Sequence, residues 1–74
     1  MSNHYEMRLE ANGNSYIAKL AERDGLCREI VFANGSQIYY AEFPSSNLGS
    51  AKRGDYLEAM ANSIAAKHKR GLFA

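Results

Sequence analysis

Asn12-Gly13, Asp24-Gly25 and Asn34-Gly35 divide the first 43 residues into four segments of nearly equal length. Each dipeptide is a hairpin signal. Tight turns whose twist matches that of paired strands need positive φ at their central residues, which Gly adopts freely and Asn or Asp tolerates. The segments they separate, residues 4–11, 14–22, 26–33 and 36–43, alternate apolar and polar side chains and carry many Tyr, Ile, Val and Phe. That pattern predicts four strands in an antiparallel meander. Pro44 ends the fourth strand, and residues 44–54 form a loop rich in Ser and Gly. Leu57, Met60, Ala61, Ile64 and Ala65 then recur at helical spacing, which predicts a helix over 55–70. Asp55 with Glu58 three residues on matches a capping box in which Asp replaces Ser or Thr; Ser50 is an alternative start, with Gly54 in the first turn. Lys67, Lys69 and Arg70 fall in the last turn, where cations favour the helix dipole, and Gly71 is a good stop. One C-terminal helix packed across one face of a four-stranded antiparallel meander is a two-layer α+β single domain spanning 1–74.

Composition narrows the function classes. Nine basic and eight acidic side chains leave a net charge of +1 over 74 residues, whereas a dedicated nucleic-acid binder of this size carries a clearer positive excess. The single cysteine, Cys27, permits no internal disulfide and fits a reducing cytoplasm. No segment approaches the ~18 apolar residues of a membrane span. Met1-Ser2-Asn3-His4 has neither a basic start nor an apolar run, so no signal peptide is expected.

Register decides which side chains the helix covers. A two-residue turn at Asn12-Gly13 pairs Leu9 with Tyr16, Met7 with Ala18 and Tyr5 with Leu20, giving that hairpin one apolar side. A two-residue turn at Asn34-Gly35 pairs Phe32 with Gln37, Ile30 with Tyr39 and Arg28 with Ala41. At the middle turn, a two-residue loop would set Leu20 against Glu29 and bring a carboxylate onto the apolar side. A three-residue loop, Arg23-Asp24-Gly25, pairs Ala18 with Ile30 and Tyr16 with Phe32 and merges the apolar sides. Because a one-residue slip inverts every side chain, the three-residue loop is expected. The covered face is then Tyr5, Met7, Leu9, Tyr16, Ala18, Leu20, Ile30, Phe32, Tyr39, Ala41 and Phe43.

The opposite face follows from the same register. Its rows across the sheet are Glu6, Lys19, Glu29, Tyr40 and then Arg8, Ile17, Val31, Ile38, with a small polar row of Glu10, Ser15, Ala33 and Ser36. Ile17, Val31, Ile38 and Tyr40 form an apolar patch rimmed by Arg8, Lys19, Glu29 and Glu42. An uncovered sheet face alternates more cleanly than this, and apolar patches rimmed by charge mark association sites. These eight residues are the predicted partner-binding site, with Tyr40 and Arg8 as the leading contributors because Tyr and Arg dominate interface energetics. A homodimer through the same face is a further reading, after a partner protein and a nucleic-acid alternative.

Catalytic chemistry finds little foothold. His4 and His68 stand at opposite ends of the chain, and with one cysteine they form no metal-ligand spacing. His68, within Ala66-Lys67-His68-Lys69-Arg70, reads as a solvated helix residue. Ser45, Ser46 and Ser50 lie in no nucleophile-elbow motif, and Cys27 is placed on the outer face between Ala21 and Glu42 with no cation to activate it. No enzyme activity, metal or cofactor is therefore expected. Lys52 and Arg53 lie in the loop before the helix, where Gly49 and Gly54 flank them without the Gly-Lys-Ser/Thr spacing of a phosphate loop. With Lys67, Lys69 and Arg70 they make up the alternative, nucleic-acid-binding set.

Two resemblances sharpen these readings. Strands followed by a helix ending in Ala65-Ala66-Lys67-His68-Lys69-Arg70-Gly71-Leu72-Phe73-Ala74 resemble the small DNA-binding domain of phage integrases and ethylene-response factors, whose free sheet face enters the major groove. That resemblance implies a DNA-binding accessory protein of a phage or mobile element. Glu6, Glu10, Glu29 and Glu42 on the free face depart from it, since carboxylates repel the phosphates that govern affinity. In size and architecture the chain also resembles phage-encoded anti-CRISPR proteins. This second resemblance implies an inhibitor acting in the host cytoplasm, one that binds a host protein or ribonucleoprotein complex, a CRISPR effector, and blocks it through the exposed sheet face.

Overall fold

The structure, a computed structural model, describes residues 2–72. Four strands, β1 (Ser2–Ala11), β2 (Asn14–Arg23), β3 (Leu26–Ala33) and β4 (Ser36–Pro44), form one antiparallel sheet in chain order. A short 3-10 turn at Ser45–Asn47 leads to a single helix, α1 (Arg53–Lys69), lying across one face. The α+β meander expected from the turn dipeptides is the architecture observed. The helix starts two residues before the expected position. Lys52 is its N-cap, without a side-chain hydrogen bond, and Asp55 sits in the first turn, where its charge still favours the dipole. Neither an Asp55 capping box nor a start at Ser50 forms. At the other end Gly71, with φ +75°, closes the helix as expected: its N–H donates to the His68 carbonyl and the Leu72 N–H to that of Lys67. Phe73 and Ala74, the end of the segment likened to integrase-type domains, lie outside the described residues.

All three hairpins close with the same two-residue turn. Asn12, Asp24 and Asn34 have φ of 56°, 51° and 51°, each followed by a glycine at 78–86°, so both central residues are left-handed and the turn is the type that suits strand twist. At the first hairpin the pairing is as expected: Leu9 opposes Tyr16, Met7 opposes Ala18 and Tyr5 opposes Leu20. At the middle turn the expected three-residue loop is not formed. Leu20 opposes Glu29, Ala18 opposes Val31 and Tyr16 opposes Ala33, which turns β3 over relative to expectation. Cys27, Glu29, Val31 and Ala33 face the helix, and Arg28, Ile30 and Phe32 face away. A bulge between β3 and β4 then skips Ile38, so Val31 opposes Tyr39 while Phe32 opposes Gln37. The slip and the bulge cancel, and Tyr39, Ala41 and Phe43 lie on the covered side as expected.

The physical reason for the reversed strand is that Glu29 is not left unsatisfied. Although only 3% exposed, its carboxylate accepts a hydrogen bond from the Tyr56 hydroxyl of α1, with Tyr39 as a second hydrogen-bonding neighbour. A buried polar group with partners is tolerated, and one without them is costly. The turn geometry therefore sets the register, and the core accommodates the carboxylate. The remaining core is apolar: Tyr16, Ala18, Leu20, Cys27, Val31 and Ala33 from the sheet meet Leu57, Met60, Ala61, Ile64 and Ala65 from the helix. α1 runs along β2, tied to Glu22 at its start and Tyr16 at its end, and its strand contacts are mainly with β1 and β2.

This register makes opposite demands on neighbouring residues. Val31→Lys places an unpaired charge at a fully buried site, a cost of several kcal/mol in a domain whose total stability is about 5–15 kcal/mol, and abolishes cooperative unfolding. Phe32→Lys, one residue on, leaves a folded protein destabilised by about 1 kcal/mol. Urea titrations followed by circular dichroism measure both; equal tolerance at the two positions contradicts the register.

Candidate protein-binding face

The sheet face away from α1 has no described element packed across it. Directly opposed residues assemble it in rows. One row is Arg8, Ile17, Phe32 and Gln37; the next is Glu6, Lys19, Ile30 and Tyr40; a third is His4, Ala21, Arg28 and Glu42. Ile17, Ile30 and Phe32 are half-buried by their neighbours, while Tyr40 is 48% exposed. The strands thus present a continuous apolar strip that includes the rings of Phe32 and Tyr40. Five of the expected contact residues, Arg8, Ile17, Lys19, Tyr40 and Glu42, are on this face. Three are not: Val31 is wholly buried beneath the helix, Glu29 is hydrogen-bonded to Tyr56, and Ile38 is the bulge residue, half-buried against the core. Arg28, Ile30 and Phe32 take their places. The signal for them was in Asp24-Gly25, whose two-residue turn puts these side chains outward.

Charge on the face is arranged in opposed pairs. Lys19 Nζ lies 3.8 Å from Glu6 and 5.6 Å from the centre of the Phe32 ring, so it bridges a carboxylate and an aromatic face. Arg28 lies 3.9 Å from Glu42, which also accepts a 2.5 Å hydrogen bond from the Tyr40 hydroxyl. That bond to Glu42, and then partial burial, raise the Tyr40 phenol above its ordinary pKa. Such exposed pairs add little to stability; they place Tyr40 and Arg28 on either side of the same Glu42 carboxylate. A shallow depression of about 210 Å3 lies among His4, Glu6, Lys19, Arg28, Ile30 and Tyr40.

The alternative basic set does not converge. Arg53, expected in a solvated loop, is in the first turn of α1, where its guanidinium makes a two-pronged contact with Glu22 at 3.0 Å and donates to the Gly49 and Ala51 carbonyls. Its side chain is only 17% exposed. Lys52 stands at one end of the helix and Lys67, Lys69 and Arg70 at the other, about 25 Å apart for 17 residues. All lie in the layer opposite the open sheet face.

Beneath the helix lies a second polar group of residues. Cys27, expected on the outer face, is fully buried between Glu22 and Phe43 on the covered side, with Sγ 3.5 Å from the Ser45 hydroxyl. Burial, then the bond to Glu29, push the Tyr56 hydroxyl far above its ordinary pKa, so it remains a donor to that carboxylate throughout the neutral range. His68, expected to be solvated, is half-buried: its Nδ1 is 2.6 Å from the Tyr16 hydroxyl and the two rings meet edge to face. Among the described residues no three His, Cys, Asp or Glu side chains are placed to hold a metal ion, and no helix is long and apolar enough to cross a membrane.

The chain matches no protein-family model, no curated protein and no solved structure.

The Glu22–Arg53 contact carries a pH signature. Its hydrogen bonds to Arg53 and then Ser45 hold the Glu22 carboxyl below its ordinary value of 4.5. A carboxyl with a lowered folded-state pKa stabilises the fold above its unfolded value and loses that contribution as pH falls through the folded one. Glu22→Gln therefore lowers the thermal midpoint at pH 7, and the gap from the parent closes as the pH is taken progressively below about 4.5. Differential scanning calorimetry across that range measures it; a gap independent of pH contradicts the assignment.

Proposed function

We propose that this chain is a non-enzymatic protein-binding module that works through its open sheet face. The observation that carries this reading is the strip of Ile17, Ile30, Phe32 and Tyr40 bordered by charges of both signs. Interfaces have such an apolar centre and polar rim, with Tyr and Arg supplying most of the energy. Tyr40 and Arg28 lie on either side of the Glu42 carboxylate. Within this class the narrower reading is a phage-type inhibitor that blocks a host defence nucleoprotein complex, an anti-CRISPR protein acting in the host cytoplasm. Its support is the likeness in size and architecture described above, together with a face suited to masking a flat surface.

One observation favours the DNA-binding alternative. The observed register removes Glu29 from the open face and adds Arg28 and Phe32, which brings the face nearer to a cationic, aromatic sheet. Against it, Glu6 and Glu42 remain there and neutralise Lys19 and Arg28.

Purified CRISPR effector complexes, tested by pull-down and by target cleavage, separate these readings. The inhibitor reading predicts binding and loss of cleavage with the parent chain. Tyr40→Ala and Phe32→Glu lose at least about tenfold in affinity, as expected for hot-spot residues, with unchanged circular dichroism. Retained binding by both variants contradicts the sheet face as the site. A duplex titrated over a salt series tests the alternative, because phosphate contacts weaken steeply as salt rises.

A further inference from the structure

The two edges of the sheet are built differently. β4 is blunted by the Ile38 bulge and ends in Pro44, both common defences against strand addition. β1 is ten residues long, has no proline, and pairs with β2 without a register shift. Ala11 and Asn14 close the first hairpin, so the odd-numbered residues of β1 turn their backbone groups toward β2. The N–H and C=O groups of His4, Glu6, Arg8 and Glu10 then point out from the open edge.

The side chains of β1 are complementary to their own reverse. Two copies related by a two-fold axis through Met7 place Glu6 opposite Arg8 and His4 opposite Glu10, and each pairing occurs twice. On the helix side the same register sets Tyr5 opposite Leu9 and Met7 opposite itself. These apolar residues pack against the helix layer but stay only partly buried, because β1 is an edge strand with no neighbour on its outer side. Other registers lose the match. A shift of one residue opposes covered to uncovered side chains and misaligns the backbone groups. Moving the axis one residue along the strand in either direction sets Glu6 against Glu6 or Arg8 against Arg8, and like charges directly opposite are unfavourable. Arg8 has no ion-pair partner among the described residues.

We propose that the chain forms a two-fold homodimer by antiparallel pairing of β1 with β1 of a second copy, with Met7 on the axis, giving one continuous sheet of both copies. The helices then lie on one side, and the two open faces join on the other. This pairing uses the edge and leaves Ile17, Ile30, Phe32 and Tyr40 uncovered. It shares only the rim residues Glu6 and Arg8 with the sheet-face reading, so Tyr40→Ala and Phe32→Glu test that reading without touching the dimer contact.

Sedimentation equilibrium from micromolar to submillimolar concentration tests it, with circular dichroism as the check of folding. The parent approaches twice the 8.2 kDa chain mass. Glu6→Arg and Arg8→Glu each create repeated like-charge contacts and weaken association about tenfold or more. An equimolar mixture of the two variants regains the dimer, because each chain then meets opposite charge in the other. Met7→Cys forms an intermolecular disulfide on oxidation; Met7 faces the helix side, so only edge pairing brings it to its own copy. A parent that stays monomeric throughout, a dimer indifferent to the single reversals, a mixture that fails to recover, or Met7→Cys chains that do not cross-link overturns the proposal.

Discussion

The two-residue turn at Asp24-Gly25 is the constraint on which the two faces of this sheet depend. It fixes Leu20 against Glu29, and from that pair every side chain of β3 takes its side. The arrangement is tolerated because α1 brings the Tyr56 hydroxyl to Glu29, with Tyr39 of β4 as a second partner. A carboxylate with partners can occupy a core that would otherwise reject it, and its removal from the surface leaves Ile30 and Phe32 outside. The buried acid and the exposed apolar strip are two consequences of one turn.

The helix is positioned by polar contacts as much as by its apolar stripe. Arg53 with Glu22 anchors its start, Tyr56 with Glu29 its first turns, and His68 with Tyr16 its end. Each joins a helix residue to a strand residue far away in the chain, and together they hold the helix along β2, over the β1–β2 side of the sheet. β1 packs against the helix yet remains an edge strand, so its apolar residues are only partly covered, and the opposite sheet face has no described element across it.

Much of the fold was legible in the residues. Three Asx-Gly pairs marked the hairpins, Leu57 through Ala65 marked the helix, and Gly71 marked its end. The face of β3 was not legible, because an apolar side was expected to exclude Glu29, and nothing local to Glu29 announces Tyr56, 27 residues away. The Ile38 bulge was invisible for a related reason: a bulge shows itself only when both neighbouring strands are in place. The β4 assignments survived because bulge and slip offset one another. Of the candidate contact residues, those on β1, β2 and the end of β4 were placed correctly, and the errors are confined to β3 and the bulge. Arg53 and His68 were misjudged because their partners, Glu22 and Tyr16, sit on a strand that sequence spacing does not connect to the helix.

The most direct test of this account is a nuclear Overhauser spectrum of β2 and β3. In antiparallel strands the closely spaced, non-hydrogen-bonded pairs bring Hα atoms together, and the two-residue turn makes Leu20–Glu29 and Ala18–Val31 such pairs. Strong Hα–Hα contacts between those residues are the predicted result. Contacts between Ala18 and Ile30 instead would mean that β3 presents its other side, with Ile30 and Phe32 under the helix and the open face lost.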